Sequence, residues 1–119
     1  LGLRNLLIYK EVDDAGHILE NIVYFELLRR YEGVWIGKNE NKEVDFVVKT
    51  ASGDIEYYQV AETMRGKETR QRELQAYENI ADNHPKYILT NDPSSASYDG
   101  IQQVNVIKWL LQDYSQINM

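Results

Sequence analysis

Two stretches set the terms for what this chain can fold into. Glu43-Val44-Asp45-Phe46 opens a run that ends at Lys49, and Gln59-Val60-Ala61 lies near the end of a second run that begins at Ile55. Alternation puts Val44, Phe46 and Val48 on one side of the first run and Glu43, Asp45 and Val47 on the other. In the second, Ile55, Tyr57, Gln59, Ala61 and Thr63 share one face, and Glu56, Tyr58, Val60 and Glu62 share the opposite one. Each run reads as a strand with a polar residue planted on an otherwise apolar face. An acidic residue on one strand, and a polar pair spaced i, i+2 on its neighbour, is how a sheet can present a metal-dependent hydrolytic site. Here the pair reads Gln59 and Ala61. A site needing a carboxylate and an amine at those two positions lacks both.

The chain of 119 residues forms one domain, 1–119, large enough for a hydrophobic core. It has no cysteine, which excludes disulfides, thiolate zinc sites and cysteine nucleophiles and fits a reducing, cytoplasmic interior. No apolar run approaches the ~20 residues of a transmembrane helix, so no membrane role is expected. The chain opens Leu1-Gly2-Leu3-Arg4-Asn5 with no initiator Met, as a fragment of a longer protein would; a processed chain would look the same.

The formal net charge is −6. Most non-specific affinity for nucleic acid comes from Lys and Arg on phosphates, so an acidic domain must concentrate its few cations or bind something else. The one dense basic run is Arg65, Lys67, Arg70 and Arg72, the candidate groove for DNA or a partner. Glu62, Glu68 and Glu73 are interleaved with it, as on a solvated helix face.

Helical spacing of Ile18, Ile22, Phe25 and Leu28, widened by Leu19, Val23 and Leu27, predicts a first helix over 17–30. Glu32-Gly33 breaks it. Short strands are expected at 34–36, 43–49 and 55–62, the last two separated by the Ser52-Gly53-Asp54 turn. A second helix is expected over about 67–82, with Leu74, Tyr77, Ile80 and Ala81 inward. His84-Pro85 ends it, and 87–90 reads as a short buried strand. Residues 91–100 carry turn chemistry and read as a loop. A final edge strand is expected at 101–106 and a closing helix at 107–114. This order gives an α/β or α+β sandwich around a mixed sheet flanked by helices.

That order, with Glu20 in the first helix, Asp45 on the second strand and a polar-x-polar pair on the third, resembles the PD-(D/E)XK nuclease superfamily. Several phrases sharpen the likeness to the C-terminal nuclease-like domain of bacterial and archaeal AAA-type ATPases. They are Gly2-Leu3-Arg4-Asn5, Leu19-Glu20-Asn21, Glu26-Leu27-Leu28-Arg29-Arg30, Glu43-Val44-Asp45-Phe46 and Gln59-Val60, with Thr69-Arg70, Arg72-Glu73-Leu74, Pro85-Lys86-Tyr87 and Leu89-Thr90. The resemblance implies a restriction-endonuclease-like α-β-β-β-α-β core. It also implies an N-terminal P-loop ATPase region preceding this domain in the longer protein. Gly37-Lys38 lacks the rest of a P-loop, so ATP binding is not encoded here.

In active members of the superfamily the Asp and the following Glu hold a divalent metal, Mg²⁺ or Mn²⁺. The Lys of E-x-K positions the attacking water, and the helix Glu adds a ligand or base. Carried over, Glu20 and Asp45 match, Gln59 stands at the second carboxylate and Ala61 at the lysine. A Gln oxygen can coordinate a metal but brings no charge, and Ala61 offers no proton chemistry. Arg65 and Lys67, just downstream, are the candidates for a relocated cation.

Each residue also has a plainer reading. Glu20, one turn before Tyr24, fits a helix-face residue hydrogen-bonded to that tyrosine. Asp45 is harder to dismiss, because Asp is disfavoured inside strands. Gln59 fits a satisfied core amide bonded to Glu20 or Asp45. Arg70, Arg72 and Glu73 fit a surface salt-bridge ladder, and His17 and His84 fit structural roles at helix ends. Three functions remain: a degenerate nuclease-like domain kept as a binding module, an active metal-dependent nuclease with a relocated lysine, and a structural oligomerisation domain.

Overall fold

The computed structural model describes residues 15–37, 44–78, 80 and 82–117, with side chains from 18 to 112 within those ranges. The expectations that fall on Leu1–Asn5, the side chain of His17, Glu43 and Ala81 lie outside the described residues.

The elements in chain order are α1 (Ala15–Arg30), β1 (Gly33–Ile36), β2 (Phe46–Lys49), β3 (Ile55–Val60), α2 (Lys67–Gln75), β4 (Lys86–Thr90), β5 (Ala96–Tyr98), β6 (Ile101–Asn105) and α3 (Val106–Ile117). The described strands form one sheet in the order β1-β2-β3-β4-β6-β5. β1, β2 and β3 pair antiparallel, β3, β4 and β6 run parallel, and β5 returns antiparallel on β6. The architecture is α/β, a mixed sheet flanked by helices, as the element order implies.

Side-chain alternation divides the core between the two faces of the sheet. Leu19, Val23 and Leu27 of α1 pack with Phe46, Val48, Tyr58, Val60 and Leu89, and with Val106 and Trp109 of α3. Val44, Ala61, Met64, Ala76, Tyr77, Ile88 and Ile101 form the cluster on the other face. Tyr24 of α1 stacks on Phe46, ring centroids 5.6 Å apart. The sequence pattern of α1 is apolar nearly all round, and its outward stripe Ile18, Ile22, Phe25 and Leu28 remains exposed.

Several expectations need correcting. Val44 does not share a face with Phe46 and Val48. The chain bends at Asp45, β2 begins only at Phe46, and Val44 turns to the opposite cluster. The second helix stops at Gln75 rather than about residue 82. Beyond it, Tyr77 and Glu78 make i→i+3 backbone bonds to Leu74 and Gln75, and the Tyr77 hydroxyl donates to the Tyr87 carbonyl at 2.7 Å. That anchor pulls the chain off the helix axis and into the core.

Residues 91–100 are not all loop. Asp99 and Gly100, with φ of 55° and 87°, close a two-residue hairpin between β5 and β6. Positive φ at both central residues is what an Asp-Gly turn supplies. Consequently 101–105 is no edge strand: β6 lies between β4 and β5, parallel to β4.

Candidate functional site

The parallel strands β3 and β4 end at Val60 and Thr90, and β2, antiparallel to β3, begins at the same end of the sheet. In open α/β sheets the carboxyl ends of parallel strands are where ligands are usually held. Asp45 and Gln59 meet there. The Asp45 backbone N–H donates to Gln59 Oε1 at 2.9 Å, and Asp45 Oδ2 accepts from the Val60 N–H at 2.9 Å. Both residues are buried.

The other end of the Gln59 amide reaches α2. Its Nε2 donates to Glu73 Oε1 at 2.7 Å. Gln59 is therefore a satisfied core amide, as one sequence reading allows, but its partners are Asp45 and Glu73 rather than Glu20. Glu73 thus belongs to the centre rather than only to a surface salt-bridge ladder, and Arg72 lies 3.8 Å from its other oxygen. Its position could have been suspected from the Arg72-Glu73-Leu74 phrase only by knowing which turn of α2 faces β3.

Ala61 continues the ladder through its N–H to the Leu89 carbonyl, and its methyl lies in the apolar cluster beside Val44, Met64 and Ile88. Glu20 is half-buried on α1, next to Leu19, whose side chain belongs to the cluster on the opposite face of the sheet. Asp45 and Gln59 bond to each other, Asp45 to the Val60 N–H and Gln59 to Glu73, so α2 contributes a carboxylate to the centre. Among the described residues no three His, Cys, Asp or Glu side chains converge as a metal-ligand set.

The basic run does not converge on this centre as a unit. Arg65 is exposed, with its Nε 3.6 Å from Asp92. Arg70 Nη1 donates to the Met64 carbonyl at 3.3 Å. Lys67 opens α2 and is exposed, and Arg72 is exposed beside Glu73.

Asp92 does more than its turn chemistry implies. Asp92, buried at the end of β4, accepts from Thr63 Oγ1 at 2.8 Å and the Met64 N–H at 2.7 Å. Its own N–H donates to Thr90 Oγ1 at 2.9 Å, and its carbonyl accepts from Asn105 Nδ2 at 2.9 Å. It ties the segment after β3, which carries Arg65 and leads to α2, to the ends of β4 and β6. An Asp followed by Pro signals a turn from sequence, and only the tertiary fold shows which segment its carboxylate holds.

At the opposite end of the sheet lies a separate polar cluster. The Tyr57 hydroxyl donates to Asp82 Oδ2 at 2.7 Å, and Lys86 Nζ donates to Asp82 Oδ1 at 3.0 Å and to the Asp82 and His84 carbonyls. The Tyr57 hydrogen bond, with Lys86 behind it, lowers the Asp82 carboxyl to about 2. Burial, then the Asp82 carboxylate, pushes the Tyr57 hydroxyl up to about 12. These bonds fix the approach to β4 and border a cleft of about 620 Å³ between Tyr77, Tyr98 and Ile101.

The chain is 38% identical over 112 residues to an uncharacterized protein of Haemophilus influenzae. The match covers 93% of this chain but 27% of that relative's length. No family model matches the chain, and no solved structure matches it.

Proposed function

We propose that this chain is a PD-(D/E)XK nuclease-like domain whose hydrolytic centre is degenerate. It serves as a binding or interaction module in a longer protein that also carries an N-terminal ATPase region. One observation carries the reading: the Gln59 carboxamide is fastened between the Asp45 N–H and the Glu73 carboxylate, in a centre whose lysine position holds the buried methyl of Ala61. The antiparallel β1-β2-β3 meander followed by parallel β3-β4 supports a restriction-endonuclease-like core.

The donor set does not fit a hydrolytic Mg²⁺ centre. Mg²⁺ requires hard oxygens in near-octahedral array and binds chiefly through carboxylates. The amide oxygen of Gln59 is neutral and accepts the Asp45 N–H, and Asp45 Oδ2 accepts the Val60 N–H. No amine side chain replaces Ala61 at the strand position. Arg65 is drawn toward Asp92 instead. The much greater length of the Haemophilus influenzae relative leaves room for an ATPase region in such proteins.

The test is calorimetric titration with Mn²⁺, alongside incubation of supercoiled plasmid DNA with the protein and Mg²⁺ or Mn²⁺. No heat of specific binding and no nicking is the expected result. Nicking abolished by Asp45→Ala, or Mn²⁺ binding lost in Glu20→Gln, would overturn it in favour of an active DNA nuclease.

A second reading, a structural oligomerisation domain, draws support from the exposed stripe Ile18, Ile22, Phe25 and Leu28 on α1. Such a contiguous apolar row marks an interaction surface more often than a solvated one. Light scattering across a concentration series separates the two. A dimer dispersed by Phe25→Glu favours oligomerisation, and a monomer at all concentrations disfavours it.

A further inference from the structure

The face of the sheet that carries α1 and α3 holds a second cleft, of about 470 Å³, between the C-terminal end of α1 and α3. It lies at the starts of β3 and β4, on the opposite face and at the opposite end from Gln59 and Glu73. Its volume is within the ordinary range of small-molecule sites.

Aromatic rings form part of its wall, beside Arg30, Gln102 and Gln112. The rings of Tyr58 and Tyr87 stack with centroids 5.0 Å apart, and Tyr58 meets Trp109 at 5.7 Å and Tyr31 at 6.4 Å. Against them stands one carboxylate. Glu56 Oε1 accepts from the Tyr31 hydroxyl at 3.0 Å and from the Tyr58 hydroxyl at 2.9 Å. Among the described residues its second oxygen accepts no hydrogen bond, and no lysine, arginine or histidine pairs with it.

The cleft already shows how it treats a cation. The Arg30 guanidinium lies 4.3 Å from the centre of the Trp109 ring and donates to the Trp109 carbonyl at 2.8 Å. Its Nε donates to Glu26 at 2.7 Å, a carboxylate that Arg29 contacts as well. Among the described residues neither arginine forms an ion pair with Glu56. A half-buried carboxylate beside aromatic rings, with an oxygen to spare and no ion pair of its own, offers a place for a cation.

We propose that this cleft binds a small organic ammonium compound, its charge on the open oxygen of Glu56 and its carbon chain against Tyr58, Tyr87 and Trp109. The tyrosine hydroxyls hold the carboxylate in place rather than competing for the ligand. They can only donate to it, because burial above all raises both hydroxyl pKa values and keeps Tyr31 and Tyr58 protonated. A neutral ligand of the same shape would make no ion pair with Glu56, and an anion would be repelled by it.

The chain has two tryptophans, which makes the test internal. Trp109 lines the cleft, and Trp35 lies exposed on the edge strand β1. The indole N–H signals of the ¹⁵N-labelled protein are followed while n-butylammonium chloride is added at constant ionic strength, with butan-1-ol as the neutral control. The expected result is a saturable shift of the Trp109 signal, an unmoved Trp35 signal, and no saturation with the alcohol. Glu56→Gln keeps an acceptor for both hydroxyls and should weaken binding at least about tenfold, equivalent to about 1.4 kcal/mol. Should that variant not fold, Tyr87→Leu, which removes one wall and leaves the Tyr31–Glu56–Tyr58 contacts, should weaken it as well. No Trp109 shift, an equal response to the alcohol, or unchanged affinity in the folded variant would overturn the proposal. None of these outcomes bears on Mn²⁺ binding or DNA cleavage at Asp45.

Discussion

Replacing Gln59 by Glu puts a carboxylate where a hydrolytic centre of this type would have one, at almost no change in volume. The structure says that the chain should resist the exchange. Gln59 Nε2 donates to Glu73 Oε1 at 2.7 Å, so the new carboxylate would face Glu73 oxygen to oxygen at the distance of a hydrogen bond. Two unit charges about 4 Å apart repel by about 4 kcal/mol at an effective dielectric near 20, even after the side chains draw back to that separation. Loss of a hydrogen bond to a charged acceptor adds about 1.5–3 kcal/mol. Relaxation of α2 returns part of this, and about 3 kcal/mol of net destabilisation at pH 7 is expected.

The penalty should carry a pH signature. Like-charge repulsion raises the folded-state pKa of the new carboxyl above its unfolded value of about 4.3. The repulsive part is therefore absent well below that value and grows as pH rises, levelling off above the raised pKa. Urea unfolding of Gln59→Glu and the wild type at pH 4 and pH 7 measures it. Gln59→Met, which removes the same hydrogen bonds without adding charge, is the control and should lose similar stability at both pH values. Equal stability of Gln59→Glu and wild type at pH 7, or a loss that tracks Gln59→Met at every pH, would refute the argument.

Three further outcomes follow from the same contacts. Ala61→Lys would force a long cation into the cluster of Val44, Met64 and Ile88 and should cost at least about 2 kcal/mol in urea unfolding, without producing plasmid nicking. Asp92→Ala strips the acceptors of Thr63 and Met64 and should cost about 2–3 kcal/mol, with faster hydrogen exchange at the Met64 amide as the local signature. The Asp82 carboxyl should titrate near 2 by carboxyl-carbon NMR, below its ordinary 3.8, because Tyr57 and then Lys86 hold it ionised. Its stabilising effect is present above the ordinary value and is lost as pH falls toward 2. A midpoint near 4 would show that the Tyr57 bond does not form in solution.

Much of the fold was legible because it depends on local pattern. Alternation from Ile55 onward put Tyr57, Gln59 and Ala61 on one face and Tyr58 and Val60 on the other, and the sheet keeps that division. Helical spacing marks α1 through Ile18, Ile22, Phe25 and Leu28, yet those residues are exposed and the stripe that buries is Leu19, Val23 and Leu27. Where the reading failed, a distant contact overrode the local signal. Val44 left the face of Phe46 because the chain bends at Asp45, and α2 ended early because Tyr77 is held by the Tyr87 carbonyl. The hairpin at Asp99-Gly100 is a different case, since its turn chemistry and the strand after it are visible in the sequence and only β5 before it is not.

By itself, then, the sequence determined which residues alternate, where the turns fall, and that position 59 carries an amide and position 61 a methyl. Those are properties of single residues and of periods two and 3.6, and they need no knowledge of neighbours far along the chain. Only the tertiary structure decided what the amide of Gln59 does. Glu73 is fourteen residues away and on another element, and its approach depends on how α2 is seated beside β3. The cleft around Glu56 has the same origin. Tyr31, Glu56, Tyr87 and Trp109 are scattered along the chain as ordinary sheet and helix residues, and they face one cavity because α1 and α3 cross the same side of the sheet.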